Sequence, residues 1–251
     1  MNKDLTFFFQ NHIKRVPVNS EYEIKLCYCK ISSIFDFLFE PEKYSYDAEN
    51  YNIVRNRKMN RKDFLISFLS DSEIDSLNSF KSFKKQIEWL SGRFLLKTCL
   101  FSFKKNIGTL EGIKVAYEKE GAPFLPDFPD IKISLSHSGN MALFGLCEEH
   151  NIGIDIEELK KKPDNNFLKI AFTRDEISSM GDTKEEIFKK WTIKEAFLKY
   201  IKKGFNESLH KVEVIGNTIL HDKNEARVSV FSKIIDDSYV LSVVSTRPES
   251  L

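Results

Sequence analysis

The stretch Gly153-Ile154-Asp155-Ile156-Glu157 decides the fold because apolar and acidic residues alternate along it. Such alternation predicts a β-strand, in which the side chains at i and i+2 leave the same face. Asp155 and Glu157 would then point together into one site, while the two isoleucines pack behind them. Paired carboxylates favour a site for Mg²⁺, which takes hard oxygen ligands.

A second segment, Trp191-Thr192-Ile193-Lys194-Glu195-Ala196-Phe197-Leu198-Lys199, predicts a helix. Glu195 and Lys199 stand at i and i+4 and therefore share one face. Three acids and a lysine suit a Mg²⁺-bound phosphate ester, since carboxylates and substrate phosphates usually hold this ion together. The alternatives are outward acids on a half-exposed strand and a surface ion pair. Lys194 is interpreted as an outward or supporting lysine.

The stretch Leu135-Ser136-His137-Ser138-Gly139 precedes both segments. The order L-S-H-S-G, G-I-D-I-E and W-x-x-K-E-A-x-x-K resembles the Sfp-type (surfactin-type) 4′-phosphopantetheinyl transferases. The loop Gly121-Ala122-Pro123-Phe124-Leu125-Pro126 is similar to the G-K-P-x-x-P loop of that family. The resemblance covers roughly residues 68–215.

The resemblance implies a Mg²⁺-dependent enzyme that transfers the 4′-phosphopantetheine arm of coenzyme A to a serine of an acyl or peptidyl carrier protein, releasing 3′,5′-adenosine bisphosphate. It implies metal ligation by Asp155, Glu157 and Glu195. It makes Ser136 and His137 contacts of coenzyme A, and His137 and Lys199 would neutralise phosphate charge. The nucleotide end is expected to meet Arg93, Lys84 and Lys85. The serine proton would pass to Glu195 or to a metal-bound water.

The chain departs from the family pattern at two places. Ala122 stands where the family's loop has a lysine that contacts coenzyme A, so one cationic contact is missing; Lys119, Lys81, Lys84 or Lys85 could replace it. Lys202-Lys203-Gly204 stands where the family often has G-x-G after its lysine, which concerns the end of the helix rather than the chemistry.

The sequence also resembles itself, since Phe68–Ile74 is similar to Ala171–Ile177. Trp89–Lys97 then aligns with Trp191–Lys199, which pairs Arg93 with Glu195 and Lys97 with Lys199. The alternative is a chance similarity of two amphipathic helices. The repeat agrees with the family, which is built as two similar halves around a pseudo-twofold axis. A site at their junction would receive an acid from one half and the guanidinium of Arg93, which suits phosphate, from the other.

Alternating helix and strand patterns predict an α/β (α+β) fold. We expect an amino-terminal half over residues 1–125, with a polar excursion near 40–62, and a carboxy-terminal half over 126–251 that carries the metal ligands. An opening helix is predicted over residues 4–13. Strands are predicted over residues 23–30, 112–118, 131–135, 141–147, 153–157, 210–215, 227–232 and 239–244.

The composition limits the function classes. The net charge of +1, with acids and bases interspersed, argues against a nucleic-acid partner, and no apolar run has the length of a membrane span. The four cysteines lack zinc-ligand spacing, and no signal peptide is recognised. We therefore expect a cytoplasmic monomer. The alternatives to a transferase are a non-catalytic module that binds a carrier protein or coenzyme A, and a Mg²⁺-dependent nucleotide phosphohydrolase.

Overall fold

The computed structural model describes residues 3–20, 22–38, 68–104, 107–160 and 162–247, so the polar excursion expected near 40–62 lies outside the described residues. The helices are α1 Lys3–His12, α2 Ile31–Leu38, α3 Asp71–Ser79, α4 Phe83–Phe103, α5 Asn165–Ala171, α6 Arg174–Ser179 and α7 Lys184–Tyr200. The strands are β1 Lys14–Val16, β2 Ile24–Lys30, β3 Ala116–Tyr117, β4 Pro123–Phe124, β5 Ile131–Ser138, β6 Met141–Glu148, β7 Ile152–Glu158, β8 Val212–Ile215, β9 Thr218–His221, β10 Asn224–Glu225, β11 Val228–Ile235 and β12 Tyr239–Thr246. This mixture of helix and sheet confirms the predicted fold class.

One antiparallel sheet has the strand order β1-β2-β6-β5, and helix α4 packs against it. The packed surface is apolar, with Phe94 and Leu95 of the helix and Phe144 of β6 fully buried. Because β6 pairs with β2 from the amino-terminal part of the chain, and β5 pairs with β6, this sheet extends beyond the boundary expected at residues 125/126.

A second antiparallel sheet has the order β11-β12-β7, and helix α7 lies across β7 and β12. Ile193 and Phe197 of the helix pack with Val244 of β12 in the cluster that joins them. A small sheet of order β10-β9-β8 completes this part. The two larger sheets meet where β5 runs beside β7, and the site described below lies along this line.

Most predicted elements are confirmed, with two corrections. The opening helix is α1, and the predicted strands over 23–30, 131–135, 141–147, 153–157, 227–232 and 239–244 are all present. The strand predicted over residues 112–118 is wrong for most of its length, because only Ala116–Tyr117 is extended, in a short hairpin with Pro123–Phe124. The strand predicted over 210–215 begins only at Val212, after a 3₁₀ turn over Leu209–Lys211. Among the described residues, no helix is both long enough and apolar enough to cross a membrane.

The internal repeat is visible as two matching helix starts. Helices α3 and α6 each begin with a capping box, in which Ser70 pairs with Glu73 and Thr173 pairs with Glu176. Each capping glutamate also accepts a hydrogen bond from a buried lysine on the following long helix. Nζ of Lys97 lies 2.5 Å from Glu73, and Nζ of Lys194 lies 2.7 Å from Glu176.

These ion pairs change the register of the repeat. Lys97 corresponds to Lys194, not to Lys199, because each lysine also donates to the backbone carbonyl just before its capping box, at Phe68 or Ala171. The alignment of Arg93 with Glu195 is therefore wrong, since it was based on the two tryptophans. Lys194 is a supporting lysine; the alternative of an outward lysine is wrong, because it is fully buried.

Candidate active site between the two sheets

Strand β7 presents Asp155 and Glu157 on the same face, as its alternating pattern predicts. Ile154 and Ile156 point the other way and are buried in the cluster beneath the sheet. β7 pairs along its length with β12, so that Asp155 lies opposite Ser242. This pairing fixes the register of β7, and the register determines the face of the sheet on which both carboxylates lie.

Helix α7 brings Glu195 and Lys199 over this face because it lies unusually close to β7. A Cβ atom at position 153 would collide with the backbone of Ala196 and Tyr200, so only glycine allows the approach. The first residue of the G-I-D-I-E motif thus has a packing role. It sets the distance between the two acids on the strand and the acid and lysine on the helix.

Asp155 has one engaged oxygen and one free oxygen. Its Oδ1 accepts hydrogen bonds from Ser136 Oγ at 2.7 Å and from Lys199 Nζ at 2.8 Å. Its Oδ2 is buried and has no hydrogen-bond partner among the described residues. A buried carboxylate oxygen without a partner is costly, so it indicates a place for a ligand.

Glu157 is held by two donors that the sequence prediction did not include. Ser138 Oγ donates to its Oε2 at 2.7 Å, and Trp191 Nε1 donates to its Oε1 at 3.3 Å. Trp191 also packs edge-on against Phe167 and Phe172. Burial raises the pKa of Glu157, while its hydrogen bond with Ser138 opposes the shift.

Glu195 is the most strongly perturbed acid of the group. Burial, together with the nearby negative charge of Asp155, raises its pKa to about 7. Its Oε1 is buried and, like Oδ2 of Asp155, has no hydrogen-bond partner among the described residues. Lys199 opposes the shift, but its hydrogen bond goes to Asp155. A carboxyl group with a pKa near neutrality can exchange a proton at physiological pH.

Three alternate serines of β5 join the two sheets. Ser134 Oγ accepts a hydrogen bond from the Ile154 backbone at 3.1 Å, and Ser138 Oγ accepts one from the Glu158 backbone at 3.2 Å. Ser136, between them, donates to Asp155. Residues at i, i+2 and i+4 share one strand face, so the serines of the L-S-H-S-G motif connect the sheets and orient the carboxylates.

His137 lies on the opposite face of β5, in a cleft of about 400 Å³. The cleft is also lined by Lys85, Arg93 and Ser136. Partial burial lowers the pKa of His137, and the negative charge of Glu88 opposes this shift. Lys84, also exposed, does not line the cleft; it lies 3.9 Å from Glu88. Lys85 and Arg93 give this cleft, called the cationic cleft below, its positive charge, and the carboxylate of Glu88 also lines it.

Arg93 is less available than predicted. The residue is 2% exposed; its Nε lies 3.1 Å from Glu73, and an Nη atom donates to Tyr117 Oη at 2.6 Å. The side chain reaches the cleft wall from within the amino-terminal part of the protein. Arg93 therefore contributes positive charge to the wall of the cleft and also binds the β3–β4 hairpin through its hydrogen bond to Tyr117.

On the other side of that hairpin lies a mainly apolar cavity of about 420 Å³. Its wall includes Ala122, Phe124 and Ile133, and Glu195 and Lys199 lie at its edge. The cleft and the cavity share Gly121, Pro123 and Leu135. Ala122 lines this cavity rather than the cationic cleft, so the loop position lacking a lysine faces the apolar side.

The three acids were expected to hold Mg²⁺. Within the described ranges, no group of three or more histidine, cysteine, aspartate or glutamate side chains is arranged to hold a metal ion. The available ligand atoms nevertheless suit Mg²⁺, which prefers carboxylate oxygens. Asp155 Oδ2 and Glu195 Oε1, the two buried oxygens without a hydrogen-bond partner among the described residues, belong to two of the three predicted metal ligands. Metal ligation therefore stays a prediction.

The chain is also similar in sequence to known proteins. The model of the 4′-phosphopantetheinyl transferase superfamily matches residues 151–244. The chain is 27% identical over 220 residues to 4′-phosphopantetheinyl transferase ffp of Bacillus subtilis, covering 79% of this chain and 92% of that protein. It is 31% identical over 160 residues to 4′-phosphopantetheinyl transferase HetI of a Nostoc species, covering 60% and 66%. Against 4′-phosphopantetheinyl transferase Sfp of Bacillus subtilis, identity is 24% over 217 residues, covering 79% and 92%.

Proposed function

The chain belongs to the 4′-phosphopantetheinyl transferase superfamily and is an enzyme of that class; from this premise we propose that it moves the phosphopantetheine arm of coenzyme A to a serine of an acyl or peptidyl carrier protein. The observation that carries the proposal is a pair of buried oxygens, Asp155 Oδ2 and Glu195 Oε1, that have no hydrogen-bond partner among the described residues. Glu195 lines the apolar cavity, and Ser136, which donates to Asp155, lines the cationic cleft, so the two acids lie near the junction of these spaces. Such a junction suits a molecule with a phosphorylated end and an uncharged arm.

Asp155, Glu157 and Glu195 would hold Mg²⁺, which, when bound, supplies stabilisation of negative charge on phosphate oxygens. Ser136 and Ser138 already orient two of these carboxylates by hydrogen bonds. Lys199, which lies 2.8 Å from Asp155, is 28% exposed and can turn from that oxygen to a phosphate. Orienting the ligands in advance is what a charged binding site needs.

We assign the nucleotide end of coenzyme A to the cationic cleft, where Lys85 and Arg93 supply positive charge and His137 offers a ring nitrogen for hydrogen bonding. Ser136 lines this cleft while its hydroxyl donates to Asp155, so it lies between the nucleotide end and the acids. The uncharged arm would lie in the apolar cavity, with Glu195 and Lys199 at its entrance. The nucleotide end and the arm of coenzyme A would then be bound on either side of the phosphate that reacts, which holds that phosphate in place.

The transfer forms a bond between the carrier serine oxygen and the β-phosphorus and breaks the bond to 3′,5′-adenosine bisphosphate. The serine must lose a proton, and Glu195 is the group of this chain best suited to take it. In the metal-free protein burial raises the pKa of Glu195 to about 7, and its Oε1 has no hydrogen-bond partner among the described residues, so the group can exchange a proton near neutral pH. Lys199 stabilises the charge that develops on the phosphate oxygens.

We also propose that the enzyme acts as a cytoplasmic monomer. The cleft, the acids and the cavity are all lined by residues of one chain, so no second copy is needed to complete them. The four cysteines are buried and free, as is common in a reducing compartment. Sedimentation at working concentration tests the monomer.

The proposed activity is tested by incubating the enzyme with coenzyme A, Mg²⁺ and an apo carrier protein and then weighing the intact carrier. We expect the carrier to gain the mass of one phosphopantetheine group, and a carrier whose acceptor serine is replaced by alanine to gain nothing. Breakdown of coenzyme A without carrier modification would indicate a phosphohydrolase. Binding of coenzyme A with neither product would indicate a non-catalytic module.

A further inference from the structure

The turn between β5 and β6 is held on both sides by other parts of the chain. It consists of Gly139 and Asn140. The backbone N–H of Asn140 donates to Tyr239 Oη at 3.1 Å, and the Asn140 carbonyl accepts a hydrogen bond from the Ile31 backbone at 2.9 Å. The turn is therefore attached to the start of β12 and to the start of helix α2.

The side chain of Asn140 completes the attachment to helix α2. Its Oδ1 accepts a hydrogen bond from the Ser32 backbone at 2.7 Å, and its Nδ2 donates to Ser32 Oγ at 2.9 Å. These two bonds and the two of the Asn140 backbone all lead out of the hairpin, so none of them is needed to close the turn. Turns commonly belong to the less stable parts of a fold, and these bonds instead fix this one.

The strand residue just before this turn is Ser138, which orients Glu157. Ser138 Oγ donates to Glu157 Oε2 at 2.7 Å and accepts a hydrogen bond from the Glu158 backbone at 3.2 Å. Tyr239, the acceptor of the Asn140 backbone, pairs with Glu158 in the sheet. The contacts thus form a closed ring at the end of β7. Within this ring, the direction of the Ser138 hydroxyl depends on where the turn is held.

Gly139 shows how closely the turn packs against the end of β7. Its φ is 53°, in the region that favours glycine. A Cβ atom at this position would collide with the carboxylate of Glu158 and would also approach Tyr239 Oη. A shift of the turn would therefore displace either Ser138 or the end of the strand that carries Glu157.

We infer that Asn140 is a positioning residue for the proposed metal site: by holding the turn, it directs Ser138 to Glu157 and keeps that carboxylate oriented for Mg²⁺. The inference rests on the proposed function, since it requires that Glu157 be a metal ligand. Loss of a group that orients a metal ligand typically lowers metal affinity or activity by about 10–100-fold. Because Asn140 acts through Ser138, we expect an effect at the lower end of this range.

The test measures Mg²⁺ affinity by calorimetry, with coenzyme A present and no carrier protein, and separately the Mg²⁺ dependence of carrier modification. Asn140→Ala removes both side-chain bonds to α2, and Ser138→Ala removes the bond to Glu157. Asn140→Ala should weaken Mg²⁺ binding by about ten-fold, and Ser138→Ala should weaken it at least as much. The double variant should bind Mg²⁺ as Ser138→Ala does. Carrier modification by Asn140→Ala should recover at high Mg²⁺ concentration.

Two further variants separate positioning from a general loss of structure. Tyr239→Phe keeps the ring and removes only the acceptor of the Asn140 backbone, so it should also weaken Mg²⁺ binding. Asn224→Ala is the matched control, because Asn224 Nδ2 donates to the Asp222 carbonyl at 3.0 Å in an exposed turn that lines neither the cleft nor the cavity. This control should bind Mg²⁺ as wild type does.

Unchanged Mg²⁺ affinity in folded Asn140→Ala would overturn the inference, even if the melting temperature fell, because the turn would then have a structural role only. A double variant whose loss equals the sum of the two single losses would also overturn it, since Asn140 would not act through Ser138. If Asn140→Ala does not fold, the Mg²⁺ affinity of Tyr239→Phe decides. Failure of the proposed function looks different, because wild type itself would then bind no Mg²⁺ or leave the carrier unmodified.

Discussion

Helices α4 and α7 share the same arrangement of a capping-box glutamate and a buried lysine, and only α7 carries residues that we propose take part in the reaction. In both, a buried lysine, Lys97 or Lys194, reaches back to the glutamate of a capping box. In the register set by these lysines, Glu195 of α7 corresponds to Thr98 of α4, and Lys199 corresponds to Ser102. Both oxygens of the scaffold acid Glu176 accept hydrogen bonds, and Oε1 of Glu73, which accepts none among the described residues, lies 3.1 Å from Arg93 Nε. Asp155 Oδ2 and Glu195 Oε1 are buried and have no hydrogen-bond partner among the described residues.

The comparison of Glu176 with Glu195 distinguishes an acid that stabilises the fold from an acid that remains available for a ligand. Glu176 is fully buried and accepts hydrogen bonds from Lys194, from the Thr173 backbone and from the Val214 backbone. These bonds compensate for its burial. Glu195 is nearly as buried but has no comparable compensation, so its pKa rises to about 7. Loss of the first kind of acid should cost stability, and loss of the second should cost activity.

The largest effect on stability is expected for Glu176→Ala. The change leaves Lys194 buried without its ion-pair partner, which typically costs about 3–5 kcal/mol. Denaturant unfolding measures it. In the double variant Glu176→Leu with Lys194→Met, most of this loss should be recovered, because no unpaired charge remains. An equal loss in the double variant would mean that the packing of Glu176, and not the charge, is what matters.

Gly153→Ala should have the next largest effect, because the added methyl group collides with the backbone of helix α7. Overpacking of this kind costs about 1–3 kcal/mol. It should also lower transfer, since it moves Glu195 away from β7. Gly92→Ala is the control on helix α4, where the nearest atom to an added Cβ is 4.0 Å away. That change should stabilise the helix slightly, and a destabilised control would refute the contrast.

Glu195→Gln should stabilise the metal-free protein by about 1–2 kcal/mol above pH 7. The pKa of Glu195 in the folded protein, about 7, exceeds the ordinary value of 4.5. Between pH 4.5 and 7 this carboxyl group is therefore ionised in the unfolded chain but still largely protonated in the folded protein. Wild type therefore loses stability as the pH rises from about 4.5 to 7, and glutamine does not. Melting temperatures at pH 5 and pH 8 should differ between the two proteins only at pH 8. Equal melting temperatures at pH 8 would contradict the raised pKa.

Thr98→Val should have the smallest effect. The Thr98 hydroxyl is buried without a hydrogen-bond partner among the described residues, so replacing it with a methyl group should gain up to about 1 kcal/mol. Transfer should not change, although we expect transfer to require Glu195 at the corresponding position of α7. Loss of transfer in the Thr98 variant would show that the α4 copy also takes part in the reaction.

The local elements were predictable because each has a clear pattern. Alternation in residues 153–157 gives both the strand and the shared face of its acids, and the capping-box residues mark two helix starts. The strand expected over 112–118 was wrong because Gly112 and its neighbours form turns and only a short hairpin follows. Short apolar runs do not by themselves distinguish a strand from a loop.

The contacts within the site were less predictable because they join residues far apart in the chain. The hydrogen bonds of Ser138 and Trp191 with Glu157 depend on how two sheets and a helix meet, which no local pattern encodes. The register of the repeat was misjudged because the tryptophans were aligned, while the structure aligns the buried lysines. A search for lysines that follow each capping box could have found the correct register.

The most direct test of the central claim is the rate of carrier modification by Asp155→Asn, measured over a range of Mg²⁺ concentrations together with its melting temperature. Glu148→Gln serves as the control, since it removes an exposed carboxylate at the end of β6. We predict that Asp155→Asn stays folded and loses transfer by about 100-fold or more, with the control near wild type. Near-normal transfer by folded Asp155→Asn at every Mg²⁺ concentration would contradict the account.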